Sequence, residues 1–139
     1  VRLRPGAQAP KVPQYPLKRH VKEKIKPLII NFLKHKLIRP CQSPYNTPIL
    51  LVQKPRTEDL FVQDLRAINK IVKEIPSVVP NSYTLLTALS GDFGWFTVLN
   101  VKDAFYCIPL SPESQELFAF EWDDPETDIK QQYHWLVLP

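Results

Sequence analysis

The chain has 139 residues, a mean hydropathy of -0.22 and a net charge of +4, which is typical of one folded globular domain or part of one. It has 15 prolines but only 3 glycines, which excludes glycine-rich phosphate loops and dinucleotide-binding fingerprints. Two cysteines and three histidines at no ligand spacing exclude a zinc site, and no apolar stretch approaches the roughly 20 residues that cross a bilayer, so we expect no membrane partner.

Positive charge is concentrated in the first part of the chain. Residues 1–40 carry eleven lysines and arginines and one acidic residue, whereas residues 41–139 carry seven basic and thirteen acidic residues. Such a dense basic segment is typical of contact with a polyanion such as nucleic acid. A solvated basic face explains the charge equally well.

The N-terminal part predicts an extended segment followed by a helix. Residues 1–16 contain four prolines and no apolar periodicity, which predicts a leader lying on the protein surface or on a partner. Residues 17–38 have apolar side chains at helical spacing with lysines between them, which predicts an amphipathic helix. Pro27 should kink this helix or mark its true start.

The middle part predicts a hairpin and two short helices. Two short apolar runs at 49–53 and 60–65 flank a polar stretch, which is typical of a two-stranded hairpin. Residues 66–73 and 83–89 predict short helices. Residues 75–81, with two prolines, should be irregular.

The C-terminal part predicts three strands. Residues 95–101 are almost uniformly apolar, which predicts a strand buried on both faces. Residues 117–122 and 133–138 predict two more strands around an acidic turn at 123–128. The whole order of elements predicts an α+β fold with a mostly antiparallel sheet.

Four sequence blocks closely resemble, in order and approximate spacing, the fingers and early palm of retroviral reverse transcriptases. They are CQSPYNTPILLVQKP at 41–55, VQDLRAINK at 62–70, VLNVKDAFYCIPL at 98–110 and LFAFEW at 117–122. The match is gammaretrovirus-like, as in endogenous retroviral pol polyproteins. The resemblance implies a right-hand polymerase fold with a leader at 1–16, a fingers-like region at 17–94 and a partial palm at 95–139 that stops before the family's YxDD hairpin.

The resemblance implies RNA-directed DNA polymerase activity, a nucleotidyl transfer with two Mg²⁺ ions. The implied partners are an RNA or DNA template-primer, a deoxynucleoside triphosphate and the remainder of a pol polyprotein, inside the cell in the cytoplasm or in the virion. Asn100 falls on the family's first catalytic, metal-binding aspartate. Because an amide carries no charge, and because the YxDD carboxylates are absent, we expect a non-catalytic pseudoenzyme fragment that binds no Mg²⁺ productively.

The resemblance also implies a binding site for the incoming nucleotide. Lys54 matches the lysine that contacts the triphosphate, Asp103 and Ala104 match the residues whose backbone amides hold it, and Phe105 matches the aromatic residue that excludes a ribose 2′-hydroxyl. By itself, Phe105 would be read as an ordinary core aromatic residue.

One nucleotide-binding residue of the family is missing. Leu60 and Phe61 occupy the stretch where an arginine normally clamps the phosphates, and Arg56 is a weak substitute because its backbone position differs.

Asp64, Arg66 and Asn69 match the block that grips the template through sugar and phosphate contacts. A local set of hydrogen bonds between the hairpin and the following helix would require the same residues. Two other interpretations compete with the polymerase. One is a module that binds nucleic acid but does not catalyse bond formation, and the other is a degenerate relic without a partner.

Overall fold

The computed structural model describes residues 1–53, 59–74, 81–87, 89, 91 and 94–139. The α+β class and the antiparallel strands are confirmed. The elements in chain order are α1 (Arg19–Lys34), β1 (Ile38–Pro40), β2 (Ile49–Val52), β3 (Leu60–Gln63), α2 (Arg66–Ile71), α3 (Ser82–Thr87), a 3-10 turn (Ala104–Cys107), α4 (Pro112–Gln115), a second 3-10 turn (Glu116–Phe118), β4 (Ala119–Asp123) and β5 (Lys130–Trp135).

Helix α1 is the longest element and is amphipathic, as its sequence predicts. Ile25, Ile29 and Phe32 are buried along one face, since they recur every three or four residues. Pro27 lies inside the helix and therefore does not mark its start. The helix ends before the predicted boundary because Ile38 already belongs to strand β1, which the sequence did not predict.

The strands form two antiparallel sheets. The predicted hairpin is confirmed as β2–β3, with Ile49 opposite Gln63 and Val52 opposite Leu60. The other sheet has the order β1–β5–β4. Strand β5 begins at Lys130, before the predicted start at 133, because its polar first residues pair with the end of β4.

A single core joins α1 to both sheets. Its centre is a group of aromatic rings in which Phe32 lies 5.3 Å from Phe61 and 5.0 Å from Trp135, measured between ring centroids. Phe120 lies 6.0 Å from Phe61. Such edge-on and tilted pairs add to the stabilisation that burial provides. The core therefore holds the hairpin against β4 and β5.

The leader is extended and lies on the protein surface. The Arg4 amide donates to the Ile71 carbonyl at 2.8 Å, and the Val12 amide donates to the Asn46 carbonyl at 2.8 Å. The side-chain amide of Gln14 makes two 2.8 Å bonds to the backbone N–H and C=O of Ile49. Gln14 thus covers one backbone position on the open edge of β2.

The predicted strand at 95–101 is wrong. These residues have no regular secondary structure and are exposed, with Trp95 95% and Val98 92% accessible to solvent. Apolar, β-branched composition gives only a tendency to form a strand, because a strand also needs a neighbour for its backbone hydrogen bonds. Nothing in the described residues pairs with this segment. The predicted irregular stretch at 75–81 lies, apart from Asn81, outside the described residues.

Candidate functional site

The predicted template-gripping residues lie at the junction between β3 and α2. Asp64 follows the last residue of β3, and Arg66 is the first residue of α2. Asp64 Oδ1 accepts hydrogen bonds from the Arg66 backbone amide at 3.2 Å and from Arg66 Nε at 2.8 Å. Its Oδ2 accepts from Arg66 Nη2 at 2.5 Å. The aspartate therefore forms a local turn onto the first residue of α2 and holds the guanidinium in a two-point contact.

A third residue, from the leader, completes this group. The Tyr15 hydroxyl donates to Asp64 Oδ2 at 2.9 Å. The Arg66 side chain, followed by the Tyr15 hydroxyl, holds the pKa of Asp64 far below its usual range, and the same carboxylate raises the pKa of Arg66. Sequence analysis missed Tyr15, because nothing in the sequence relates it to a position 49 residues later.

The geometry leaves Arg66 available to a ligand. The Asp64 side chain is only 12% exposed, whereas that of Arg66 is 82% exposed. A guanidinium has five N–H donors, and Asp64 occupies two of them. The others can contact a phosphate while the aspartate fixes the plane of the group.

The exposed face of α2 extends the site. Asn69 and Lys70 follow Arg66 by three and four residues, so they lie on the same face of the helix, and both are exposed. Beside them is a cavity of about 440 Å³. Its walls come from the leader, the loop before β2, and α2; the lining residues are Pro10, Val12, Pro48, Asp64, Arg66, Ala67, Lys70 and Ile71. Lys70 was also missed, although its helical spacing from Arg66 could have indicated it.

The predicted nucleotide-binding residues lie in a separate turn. Asp103 has a φ of 54°, in the left-handed region that aspartate tolerates better than most residues, and the 3-10 turn begins after it. Phe105 is 63% exposed, so it is not a core residue here. Tyr106 instead packs inward, stacked on Trp135 with ring centroids 5.5 Å apart. Lys54 and Arg56 lie outside the described residues.

A small cavity of about 200 Å³ beside β3 is lined by neither group of residues. One wall comes from β3 and Leu65, the neighbour of Asp64; another comes from Tyr106, the neighbour of Phe105. The larger cavity beside α2 contains neither Asp103 nor Phe105. The structure therefore brings Asp64, Arg66, Asn69 and Lys70 together, whereas Asp103, Ala104 and Phe105 line neither cavity.

Asn100 brings no carboxylate to the position where the resemblance implies a metal ligand. Asn100 is exposed in the segment that forms no strand, and its side chain offers a neutral amide oxygen. Across the described ranges, no three His, Cys, Asp or Glu side chains are placed so that they could hold a metal ion. Because Mg²⁺ is usually bound by one or two carboxylates together with substrate phosphates, the neutral Asn100 amide is a weaker ligand than the aspartate that the resemblance implies at this position.

The basic residues of α1 have partners within the chain. Four of the five lysines and arginines in this helix form ion pairs: Arg19 with Glu23, Lys22 with Asp123, Lys24 with Asp59, and Lys26 with Asp124 and Glu126. Lys26 Nζ is 3.1 Å from Asp124 and 2.6 Å from Glu126. The end of β4 and the acidic turn after it thus pair with two of the five basic residues, Lys22 and Lys26, and these pairs reduce the charge that the helix can offer to a polyanion.

Among the described residues, no helix has the length and apolar character needed to cross a membrane. No protein-family model matches the chain. The Pol polyprotein of feline endogenous virus ECE1 is 51% identical over 138 residues, which is 99% of this chain and 13% of that protein. The Gag-Pol polyprotein of baboon endogenous virus, strain M7, is also 51% identical over 138 residues, covering 99% of this chain and 8% of that protein.

The Gag-Pol polyprotein of gibbon ape leukemia virus is 50% identical over 140 residues, covering 100% of this chain and 8% of the viral protein. The chain thus spans about a tenth of these relatives. Over nearly its whole length, it is homologous to one segment of the Pol and Gag-Pol polyproteins of retroviruses, endogenous ones among them.

Proposed function

We propose that the chain is the fingers and early palm segment of a reverse transcriptase within a retroviral pol protein. In this function the surface of β3 and α2 holds a template strand by its phosphates and sugars. The turn at 103–105, together with Lys54, receives the triphosphate of the incoming deoxynucleotide. The division into leader, fingers and partial palm at residues 16 and 94 is part of this proposal.

The observation that carries the proposal is the state of Arg66. Its guanidinium is fixed by the largely buried Asp64 carboxylate, and most of the side chain remains in solvent beside the cavity. A pair that served stability alone would gain little at so exposed a position, because water screens it. A pair that orients a phosphate-binding arginine needs this combination of a fixed plane and free donors.

Binding of a labelled DNA primer annealed to an RNA template tests the proposal. Arg66→Ala should weaken binding about tenfold, the size of one charge-assisted contact. Arg19→Ala is the matched control, because Arg19 is also an exposed arginine paired with a nearby carboxylate but lies on α1. If the two substitutions weakened binding equally, or if the protein did not bind the primer-template at low salt, the proposed template site would be wrong.

We further propose that this segment does not support two-metal catalysis. Asn100 supplies no charge, and the described residues offer no carboxylate cluster in its place. Primer extension by a longer pol protein that carries this segment, with Asn100 or with Asn100→Asp, tests this point. The aspartate variant should extend the primer and the asparagine form should not; equal extension would show that Asn100 is not the limiting residue.

A nucleic-acid-binding module without catalysis is the second candidate function. The same two features favour it, since Arg66 faces solvent while Asn100 supplies no charge for a metal ion. Salt-dependent binding together with no extension by the Asn100→Asp protein would select this candidate.

A further inference from the structure

The leader contacts the template-gripping elements at several points along its length. Its first residues bond to the chain at and just after the end of α2, where the Arg4 amide donates to the Ile71 carbonyl and the Lys73 amide donates to the Arg2 carbonyl, each at 2.8 Å. Further along, Pro10 and Val12 line the cavity beside α2. The leader is therefore one wall of the proposed site rather than a segment that merely precedes it.

Gln14 fixes the end of the leader. Its side chain bonds to both backbone groups of Ile49, each at 2.8 Å, so it is anchored as a neighbouring strand would be. Because Tyr15 follows directly, this anchor restricts where the tyrosine ring can lie. The hydroxyl of Tyr15 then reaches Asp64 Oδ2 at 2.9 Å.

The Tyr15 bond acts on the oxygen that also holds Arg66. Asp64 Oδ2 accepts from Tyr15 and from Arg66 Nη2, while Oδ1 accepts from Arg66 Nε. Oδ1 also accepts from the Arg66 backbone amide at 3.2 Å, and rotation of the carboxylate about its own bond would disturb all four contacts. Removing the hydroxyl leaves Asp64 one restraint fewer, and the guanidinium plane then becomes less well defined.

We propose that Tyr15 is a positioning residue for nucleic-acid binding, which acts by holding the Asp64 carboxylate and, through it, the exposed face of Arg66. This inference rests on the proposed template site. It assigns a role in binding to the leader, which supplies both Tyr15 and one wall of the cavity.

Tyr15→Phe tests the inference, because it removes the hydroxyl and keeps the ring. We expect about fivefold weaker binding of the labelled primer-template, less than the loss of a whole charged contact. In the Arg66→Ala background the same substitution should change binding by less than about twofold, because its effect passes through Arg66. Tyr133→Phe is the matched control, since the Tyr133 hydroxyl bonds to nothing in the described part of the chain.

The outcomes separate the two proposals. If Arg66→Ala leaves binding unchanged, the template site itself is wrong. If Arg66→Ala weakens binding while Tyr15→Phe does not, or if the two effects add fully, the positioning role of Tyr15 is wrong. Thermal melting of each variant shows whether a loss of binding reflects a loss of fold. If Tyr15→Phe lowered the melting temperature and left binding unchanged, Tyr15 would contribute only to stability, and the inference would be wrong.

Discussion

The indole N–H of Trp135 donates to Oε1 of Gln63 at 2.8 Å, and this bond joins the last residue of β5 to the last residue of β3. The amide nitrogen of Gln63 also donates to the Thr47 hydroxyl at 2.7 Å. One side chain thus links the hairpin to the three-stranded sheet. Since Asp64 follows Gln63 directly, the same link fixes the position of the first residue of the proposed template site.

Substitution of Gln63 should therefore destabilise the fold. Gln63→Ala leaves the N–H of the buried Trp135 without a partner, which costs about 2 kcal/mol of the free energy of unfolding. Urea denaturation measures the loss. Gln53→Ala is the control, because Gln53 is exposed just after β2 and its loss should leave the midpoint almost unchanged. Equal midpoints for the two variants would contradict the linking role of Gln63.

The hairpin and β4–β5 could be predicted because each is a local pattern, two apolar runs around a polar turn. The segment at 95–101 could not, because its apolar composition says nothing of whether a neighbouring strand is present. The ion pair between Lys26 and Asp124 could not be predicted either, since it joins positions 98 residues apart. The sequence likewise placed Asp64 and Arg66 in one site by resemblance but left Tyr15 and Lys70 out.

The two faces of β3 give a prediction for Leu60 and Phe61, which occupy the stretch where the resemblance implies a phosphate-clamping arginine. Phe61 points inward to the aromatic core, whereas Leu60 is partly exposed on the other face of β3. Phe61→Arg should cost about 3 kcal/mol or more in the free energy of unfolding, because it removes the ring and brings a charge to the core. Leu60→Arg should cost less than about 1 kcal/mol. Comparable losses in urea denaturation would show that the two faces are not distinct.

His134 makes the stability of the fold dependent on pH. It is 4% exposed, and its Nε2 accepts a 2.6 Å hydrogen bond from Arg39 Nε, while Nδ1 has no partner among the described residues. Burial, followed by the positive charge of Arg39, lowers the pKa of His134, and the nearby Glu116 opposes this only in part. The folded state therefore favours a neutral imidazole.

The sign of the pH effect follows from this lowered pKa. The unfolded chain takes up a proton near pH 6.5, whereas the folded chain does so only at lower pH, so stability is complete above about 6.5 and falls below it. The slope can reach at most about 1.4 kcal/mol per pH unit for one proton. His134→Gln keeps an acceptor for Arg39 and should make the urea midpoint nearly independent of pH between pH 7 and pH 5. His20→Gln, at an exposed position, should leave the pH dependence of the midpoint as it is in the unchanged protein.

The ion pairs of α1 lead to a prediction about which lysines bind nucleic acid. Lys24 Nζ lies 2.7 Å from Asp59 Oδ2, so its charge is already compensated, whereas Lys70 lines the cavity beside Arg66. Lys70→Gln should weaken primer-template binding and reduce the slope of log affinity against log salt by about 0.7, the value for one phosphate contact on a single strand. Lys24→Gln removes the same charge and should leave the slope nearly unchanged. If the slope changed more for Lys24→Gln than for Lys70→Gln, the nucleic-acid interface would lie on α1 rather than on α2.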